Sequence, residues 1–329
     1  DHIHTSKKLK NAIPYKTSYY RKYWGFCISY NAKKKLEKIF KKLSNKKKYF
    51  EIEINSSINN KGSLTYGEFF IPGKSKKEIL ITTYICHPSM ANNELSGPLV
   101  ATALAKKFSK EKNEFSIRFI FVPETIGAIT YIKKNLKNLK KNVFAGYSIT
   151  RIGDERTYSF LPTKYENTIS DKAALKAFKD LKLKFDRYNF FEHRGSDERQ
   201  FNSPGVDIPM ACVMRSRSYP EYHTSFDNFK LVTEKGLKGG YELMEKIIFI
   251  LINNCKPKAK YFCEPQMGKR NLYSLWGQDK SWNYSKYLMN FLQYADGQKD
   301  LIDISEILKI DFVKTLEFYK TLKKNKLLR

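Results

Sequence analysis

Two of the five histidines in this sequence stand where a side chain could do chemistry. His87 directly follows a short apolar run rich in β-branched residues, and His223 follows a second apolar run, 208–214, after a short loop. Such runs are typical of buried strands, and loops at the carboxyl ends of strands in an α/β sheet are where ligands bind. A lone histidine is more often structural, but two histidines in such positions favour a metal-binding or catalytic site.

Acidic residues recur at the same kind of position. Glu124 follows the predicted strand 117–122, and Asp154 follows the predicted strand 143–149. Imidazole and carboxylate groups together are the composition of a catalytic zinc site, which takes three protein ligands and keeps an open position for water. A carboxylate that is not a ligand can then act as general base on that water. For a third acidic residue, Asp197, capping of a short helix is as compatible with the sequence as catalysis.

The elements that would position these groups alternate between strand and helix. The predicted strands cover residues 79–85, 117–122, 143–149 and 208–214. The predicted helices cover residues 97–106, 125–139, 171–181 and 233–252. Alternation of this kind predicts an α/β fold whose sheet is covered by helices on both faces.

Other segments of the chain have a different composition. We predict an α/β domain in residues 1–25 and 78–262, a small strand-rich subdomain or edge extension in 26–77, a linker in 263–280 and a helical tail in 281–329. Segment 26–77 holds two predicted strands, 48–54 and 63–71. An edge strand there could pair with a second copy, which leaves a homo-oligomer open. The three short amphipathic runs of the tail are the pattern of a winged-helix or helix-turn-helix unit.

The net charge of +28, from 61 Lys and Arg against 33 Asp and Glu, gives the surface a field that attracts anions. Nucleic acid and acidic glycans would both respond to it. The lysines, however, are spread along the whole chain among many Asn and Ile residues, a profile that suits an AT-rich genome. Nucleic-acid binders instead cluster their charge on one face. Nucleic acid is therefore an open but not a favoured partner.

The cysteines and the apolar runs bear on location. Five cysteines without a CxxC spacing leave one thiol over, which argues against a disulfide framework and favours a reducing cytoplasm. No apolar run approaches the roughly 20 residues that a membrane span requires. We therefore expect a cytoplasmic protein without a membrane span. Because the sequence begins at Asp1 and not at Met, we also expect a segment before it.

Four motifs, in their order along the chain, resemble the zinc exopeptidase superfamily of the leucyl aminopeptidase type. They are CHPSMANNELSGP at 86–98, PETIGAI at 123–129, GSDERQF at 195–201 and EYHTS at 221–225. They look most like a bacterial branch of aminopeptidase-like proteins that end in a winged-helix domain and are often encoded among surface-polysaccharide genes. The resemblance covers nearly the whole chain. It implies a mixed, mostly parallel central sheet and a C-terminal winged-helix domain.

The resemblance also implies roles for single residues. His87 and Asp154 resemble the pair that holds one metal, and His223 resembles the histidine that holds the other. Glu124 lies at the position of the general base. The implied reaction is hydrolysis of an amide or peptide bond, in which zinc polarises the carbonyl and lowers the pKa of its water towards ~7. Glu124 takes the proton from that water and passes it to the leaving amine.

Two departures from the superfamily pattern change the expected number of metals. Asn93 stands where the bridging carboxylate of the dinuclear enzymes would be, and Thr125 stands where the second glutamate of a pair would be. An amide or hydroxyl oxygen is a weak ligand for zinc, so a pair of zinc ions is not expected. A single zinc held by His87, Asp154 and His223 stays open, as does a site without metal. An additional oxygen ligand could come from Glu94, Asp197 or Glu198, or from Asn93 itself.

Arginines near the motif loops suit an anionic substrate, because a guanidinium group binds carboxylate or phosphate through paired hydrogen bonds. The residues predicted to contact the substrate are Arg194, Asp197, Arg199, Arg215 and Tyr222. Arg151, Arg156 and Arg217 lie in or near the same loops, and we expect several of these arginines to be merely solvated. The substrate would be a small or peptide-like molecule, such as an intermediate of surface polysaccharide biosynthesis.

Two other functions stay open. The peptidase domain could be degenerate and serve as a binding or regulatory protein, with a winged-helix tail that docks to protein or DNA. It could also be a silent scaffold in a glycan-assembly complex. The positive charge and the two lost carboxylates favour such roles. Against DNA binding, the second run of the tail, 302–308, is acidic and would repel phosphate.

Overall fold

The strands of the described chain form one sheet of two strands and one of seven. The computed structural model describes residues 2–17, 23–43, 49–57, 59–273 and 280–329. The strands are β1 (Ile3–His4), β2 (Phe26–Cys27), β3 (Gly67–Ile71), β4 (Ser75–Tyr84), β5 (Phe115–Val122), β6 (Val143–Ile149), β7 (Ser159–Leu161), β8 (Asp186–Arg187) and β9 (Met210–Met214). Strands β1 and β2 pair with each other in parallel, and the other seven form the main sheet.

The main sheet has the strand order β3-β5-β4-β6-β9-β7-β8. Strands β5, β4, β6 and β9 run parallel to one another, whereas β3 is antiparallel to β5 and β7 is antiparallel to β9. The predicted mixed, mostly parallel sheet is therefore confirmed. At its centre Ile79, Leu80 and Ile81 of β4 are fully buried. Because both faces of this strand are covered, its sequence is a continuous apolar run and not an alternating one.

Helices cover both faces of the main sheet. The α-helices of the described chain are α1 (Tyr30–Lys42), α2 (Ser96–Phe108), α3 (Ile126–Asn142), α4 (Ile169–Asp180), α5 (Phe190–His193), α6 (Glu198–Phe201), α7 (Glu234–Asn253), α8 (Lys280–Tyr294), α9 (Leu301–Leu308) and α10 (Phe312–Lys324). Helices α2, α4 and α7 share one core cluster with Ile79 and Ile81. Helix α3 shares a second cluster with Leu80, since successive strand residues face opposite sides. Among the helices described, none is long and apolar enough to cross a bilayer.

The segment before β4 contains less strand than its sequence predicts. Residues 49–54 have no regular structure, and residue 48 lies outside the described residues, so the predicted strand 48–54 is wrong where it can be judged. Ile52 and Ile54 are 44% and 47% exposed, so the alternating pattern has no core to face. Of the second predicted strand, 63–71, the last five residues form β3 at the edge of the main sheet.

The C-terminal helices α8 to α10 and the antiparallel bridges beside them form the predicted winged-helix domain, which packs against the α/β part of the chain. Asp303 of α9 pairs with Lys172 of α4 at 2.9 Å. Glu306 of the same helix pairs with Lys176 at 3.2 Å and also with Lys179. The acidic run of the tail, which predicted repulsion of phosphate, therefore faces lysines of the neighbouring helix.

Candidate active site

Loops at one edge of the main sheet carry the residues that the sequence singles out. His87 follows β4, Glu124 follows β5, Arg151 follows β6, and Arg217 and His223 follow β9. Because these four strands run parallel, their carboxyl ends meet at the same edge. Non-glycine residues with positive φ angles occur in these loops: Ser89 (62°), Thr125 (65°), Arg151 (48°) and His223 (55°). Such backbone strain is typical of functional sites.

The imidazole rings of His87 and His223 meet edge to face, with 4.6 Å between centroids and 80° between planes. Nδ1 of His87 and Nε2 of His223 are buried and have no hydrogen-bond partner in the described chain. Burial lowers the pKa of His87, and burial together with the charges of His87 and Arg151 lowers the pKa of His223 to about 4. Both rings are therefore neutral at pH 7, the state in which imidazole binds a metal.

The N-terminal segment closes over both histidines. The N–H of Tyr15 donates to the carbonyl of His223 at 2.8 Å, and the N–H of Ser225 donates to the carbonyl of Ile13 at 2.9 Å. The centroid of the Tyr15 ring consequently lies 4.6 Å from that of His87 and 5.9 Å from that of His223. The sequence alone indicates no role for Tyr15. Because Tyr15 pairs with a loop more than two hundred residues away, no local sequence pattern indicates this contact.

A thiol stands next to the first histidine. Ligand atoms of Cys86, His87 and Glu124 all lie within 4.8 Å of one another. Among the described residues, these three form a candidate group for holding a metal ion. Partial burial and the charge of Glu94 raise the pKa of the Cys86 thiol to about 11, so the thiol is neutral until a metal displaces its proton. Imidazole, carboxylate and thiolate are the donors that zinc takes in proteins. Cys86 and His87 carry donors of these types, and His223 offers a second unpartnered imidazole nitrogen nearby, so these three side chains suit a zinc ion with Glu124 beside it.

Neither His223 nor Asp154 is part of that group, although the sequence predicts both as metal ligands. His223 still lies next to His87, whereas Asp154 is engaged elsewhere. Its carboxylate accepts from the side-chain amide of Asn92 (3.0 Å), from the N–H and hydroxyl of Ser216 (3.1 and 2.7 Å) and from the N–H of Arg156 (2.9 Å). An ionised carboxylate has about four acceptor sites, and four donors occupy them here. Asp154 is 1% exposed and joins the loops after β6 and β9.

Asn93 and Glu94, the predicted additional ligands, bind protein groups in this structure. They lie in a π-helical turn, Ala91–Leu95, that leads into α2. Oδ1 of Asn93 accepts from the hydroxyl of Tyr84 at 2.9 Å, and its Nδ2 donates to Glu94 at 2.9 Å. The second oxygen of Glu94 accepts from the N–H of Cys86. Burial raises the pKa of Glu94 to about 7. These contacts fix the turn that carries the first histidine.

Glu124 begins a strained turn that a distant motif supports. The N–H of Ile126 donates to the carbonyl of Glu124 at 2.8 Å, and Thr125 between them has φ 65° and ψ −68°. These angles correspond to the rare, strained form of the γ-turn. The N–H of Thr125 donates to Oδ1 of Asp197 at 2.8 Å, and the guanidinium of Arg199 donates to the Thr125 hydroxyl at 3.0 Å. Two predicted substrate contacts, Asp197 and Arg199, thus hold the turn.

The same motif also contacts the carboxylate of Glu124. The hydroxyl of Ser196 donates to Oε1 of Glu124 at 2.8 Å. Asp197 is fully buried, and its Oδ2 has no partner in the described chain. Burial, together with the charges of Glu124 and Glu198, raises the pKa of Asp197 to about 8. The motif therefore orients Glu124 through its side chain and through its backbone.

A cavity of 260 Å³ adjoins Glu124. Its polar lining includes Glu124, Arg151, His193, Glu198, Arg217 and Tyr222. Of the predicted substrate contacts, Tyr222 lines this cavity, whereas Arg194 and Arg215 lie over the rings of other aromatic residues. Arg215 stacks on Tyr158 with 3.8 Å between its guanidinium carbon and the ring centroid. Arg151 and Arg217 line the cavity in their place.

Comparison with known proteins identifies the family of this chain. The family described as a domain of unknown function, DUF4910, matches residues 12–254. The chain belongs to the DUF4910 family. A winged helix-turn-helix family matches residues 254–329 of this DUF4910 chain, in agreement with the predicted C-terminal domain.

The relatives agree with the resemblance that the motifs indicate. The DUF4910 chain is 39% identical to a Clostridium acetobutylicum protein named for polysaccharide biosynthesis and an aminopeptidase-like domain, over 92% of this chain and 68% of the relative. A crystal structure of a candidate peptidase from Clostridium acetobutylicum matches with a TM-score of 0.87 and 36% identity, over 100% of this chain and 72% of that chain. A zinc aminopeptidase from Bacillus subtilis shares the fold, with a TM-score of 0.51 and 15% identity over 56% of this chain and 49% of that one.

Proposed function

We propose that this chain hydrolyses an amide or peptide bond, with Glu124 as general base beside a single zinc site. His87 and His223 would hold the metal, and Cys86 is a further donor next to them. The observation that carries the proposal is the pair of half-buried imidazoles, each with a buried and unpartnered nitrogen, next to a carboxylate at the carboxyl edge of the sheet. Zinc in such a site polarises a carbonyl and acidifies a water molecule.

Residues of the chain itself would move the proton. Glu124 lines the cavity, and Ser196 donates to one of its oxygens at 2.8 Å, which orients the carboxylate. A general base must be held within hydrogen-bond reach of the proton that it takes. The γ-turn at Thr125, supported by Asp197, fixes the backbone at this point. Glu124 would take a proton from water and return it to the nitrogen of the leaving amine.

One metal suits this site better than two. Asn93 and Thr125 replace the two carboxylates that the pattern of the dinuclear enzymes requires, and both residues are engaged with protein groups. Asp154, whose four acceptor sites are occupied, is not needed in this arrangement. The relative named for polysaccharide biosynthesis supports an intermediate of that process as the context of the reaction.

Substitution of Glu124 by Gln tests the proposal. The amide keeps the shape of the side chain and an oxygen for the Ser196 hydroxyl, but it cannot accept the proton. Zinc-loaded wild-type protein should release amine from at least one member of a panel of aminoacyl anilides and N-acyl amino acids. The Gln variant should bind zinc and lose turnover by on the order of a hundredfold or more. Wild-type turnover in the variant would refute the role of Glu124.

A further inference from the structure

Arg151 and Arg217, two arginines that line the cavity beside Glu124, are each held by a backbone carbonyl. Arg151 follows β6 and Arg217 lies just beyond β9. Nη1 of Arg151 donates to the carbonyl of Arg217 at 2.9 Å, and Nη2 of Arg217 donates to the carbonyl of His193 at 2.9 Å. Each guanidinium is thus tied at one corner by a backbone carbonyl. The two side chains are fixed in the cavity wall and are not free surface arginines.

Aromatic rings complete the fixation. The guanidinium carbon of Arg151 lies 5.5 Å from the ring centroid of Tyr222, and that of Arg217 lies 4.9 Å from the ring centroid of Tyr188. A planar cation over a ring keeps its edge available for hydrogen bonds in the plane. The two cations are consequently held in defined orientations before any ligand arrives.

Neither cation has an acidic partner in the chain described. Arg118 and Arg156 each donate to both oxygens of a glutamate, but no ion pair is formed by Arg151 or Arg217 within the described residues. Nε of Arg151 is also buried without a hydrogen-bond partner. Since a guanidinium has five N–H donors, most donors of both groups remain unsatisfied by protein. Both arginines are half-buried, and a cation left in this state costs free energy that an anionic ligand would offset.

Glu198, which also lines the cavity, has one carboxylate oxygen without a hydrogen-bond donor. Oε1 of Glu198 accepts from the N–H groups of Gly195 and Ser196, at 2.7 and 3.1 Å, while its Oε2 is buried without a partner. Glu198 is 1% exposed. The cavity therefore offers unsatisfied donors and an unsatisfied acceptor to one ligand. Its volume of 260 Å³ suits a group the size of an amino-acid residue and not an oligosaccharide.

We propose that Arg151 and Arg217 bind a carboxylate of the substrate, so that the hydrolysed amide belongs to an N-acyl amino acid or a small acidic peptide. A carboxylate accepts paired hydrogen bonds in the plane of a guanidinium, which matches the fixed edges of both arginines. Glu198 would accept from an N–H of the same ligand. The inference rests on the proposed function, because the cavity is taken as a substrate pocket on account of its contact with Glu124.

The test compares two probes that differ only in charge. N-acetylglycine carries the carboxylate, and N-acetylglycinamide is its neutral match. Binding of each to the full chain is measured by calorimetry at constant ionic strength. Wild-type protein should bind the acid at least about tenfold more tightly than the amide, as expected for charge-assisted hydrogen bonds. Arg217→Gln should reduce this preference to within about twofold, and Arg217→Lys, which keeps the charge but not the fork, should retain only part of it.

Arg194→Gln is the matched control, since Arg194 is exposed and lies outside the cavity lining. It should keep the full preference. Equal binding of the two probes by wild type would overturn the inference, as would an equal loss in Arg194→Gln, which would indicate only the general field of a chain with net charge +28. A preference for the carboxylate without any hydrolysis would contradict the proposed function and support this inference. Hydrolysis without that preference would support the proposed function and contradict this inference.

Discussion

The backbone N–H of Thr125 donates to Oδ1 of Asp197 at 2.8 Å, although 72 residues separate them in the sequence. This bond supports a γ-turn whose angles are unfavourable for a β-branched residue. The residue at the start of the turn is Glu124, the proposed general base. Asp197 is therefore a positioning residue for Glu124, and it acts through the backbone.

Substitution of Asp197 by Ala should lower turnover and leave the metal in place. Loss of the acceptor releases the strained turn, and misplacement of a catalytic group by about 1 Å costs on the order of a hundredfold. We expect kcat to fall by roughly tenfold to a hundredfold, with KM and zinc content little changed. Asp207→Ala is the control, because Asp207 lies in the next loop and pairs with Lys164. Loss of zinc from the Asp197 variant would instead indicate a ligand.

Stability of the Asp197→Asn variant should show the pH dependence of the buried acid. Burial raises the pKa of Asp197 to about 8, above its ordinary value of 3.8, so the folded state holds this proton more tightly than the unfolded state. The contribution of the group to stability is full below pH 3.8 and is lost as pH rises through about 8. Because Asn does not titrate, the stability of the Asn variant does not fall in this way as the pH rises. Its unfolding free energy should therefore gain on that of wild type between pH 5 and pH 8.

Urea denaturation at several pH values measures this difference. The relative gain of the Asn variant should not exceed about 1.4 kcal/mol per pH unit, the limit for a single proton. A difference between the two proteins that stays constant across the window would show that Asp197 is ionised throughout.

Asp154 offers a test between a structural role and a metal-binding role. In the Asp154→Asn variant an amide NH₂ replaces an oxygen that accepts from Asn92 or Ser216. The new NH₂ group would face the N–H donors of its neighbours, which should destabilise the fold by about 1–3 kcal/mol. Zinc should remain bound. The measurement pairs thermal or urea unfolding with metal analysis of the same preparation. A variant of normal stability that has lost its zinc would restore Asp154 as a ligand.

The sequence carries enough information for the main elements of the fold, and less for the contacts in the site. Strands β4, β5, β6 and β9 contain apolar runs, interrupted in β5 by Arg118, so their position can be predicted from local pattern. The two-residue strand β8 leaves too little pattern to detect. His87 and Glu124 could be placed because they directly follow buried strands, whose ends meet in a parallel sheet.

Partners that come from distant segments could not be predicted. Arg151 and Arg217 line the cavity and Arg199 does not, because Arg199 is held by the Thr125 hydroxyl in the folded chain. Asp154 has the position of a ligand in the sequence, but Ser216, brought next to it by the pairing of β6 and β9, occupies its oxygens. These outcomes depend on which donors the fold brings together, and a single sequence does not specify that.

The contact between α4 and the winged-helix domain depends on Lys176, whose side chain is 2% exposed. Its Nζ lies 3.0 Å from Asp180 and 3.2 Å from Glu306, and donates to the carbonyl of Ile310 at 2.8 Å. Lys176→Met should leave the buried Asp180 with only Lys246 at 3.5 Å and the N–H of Phe312 as partners, and destabilise the chain by about 1.5–3 kcal/mol. Chemical unfolding monitored by circular dichroism measures the change.

Lys179→Met is the matched control for that experiment. Lys179 also pairs with Glu306, but its side chain is 60% exposed, so its loss should cost no more than about 1 kcal/mol. Equal and small effects of the two substitutions would show that the buried cation does not hold the winged-helix domain to the α/β part of the chain.

Zinc content is the measurement that bears most directly on the central claim. The full chain is purified without chelator, incubated with zinc, dialysed and analysed by mass spectrometry, beside His87→Ala, His223→Ala and the control Arg194→Gln. We expect about one zinc per chain in wild type and control, and loss of that zinc in both histidine variants. A wild-type chain that binds no zinc, or histidine variants that bind as much zinc as wild type, would contradict it.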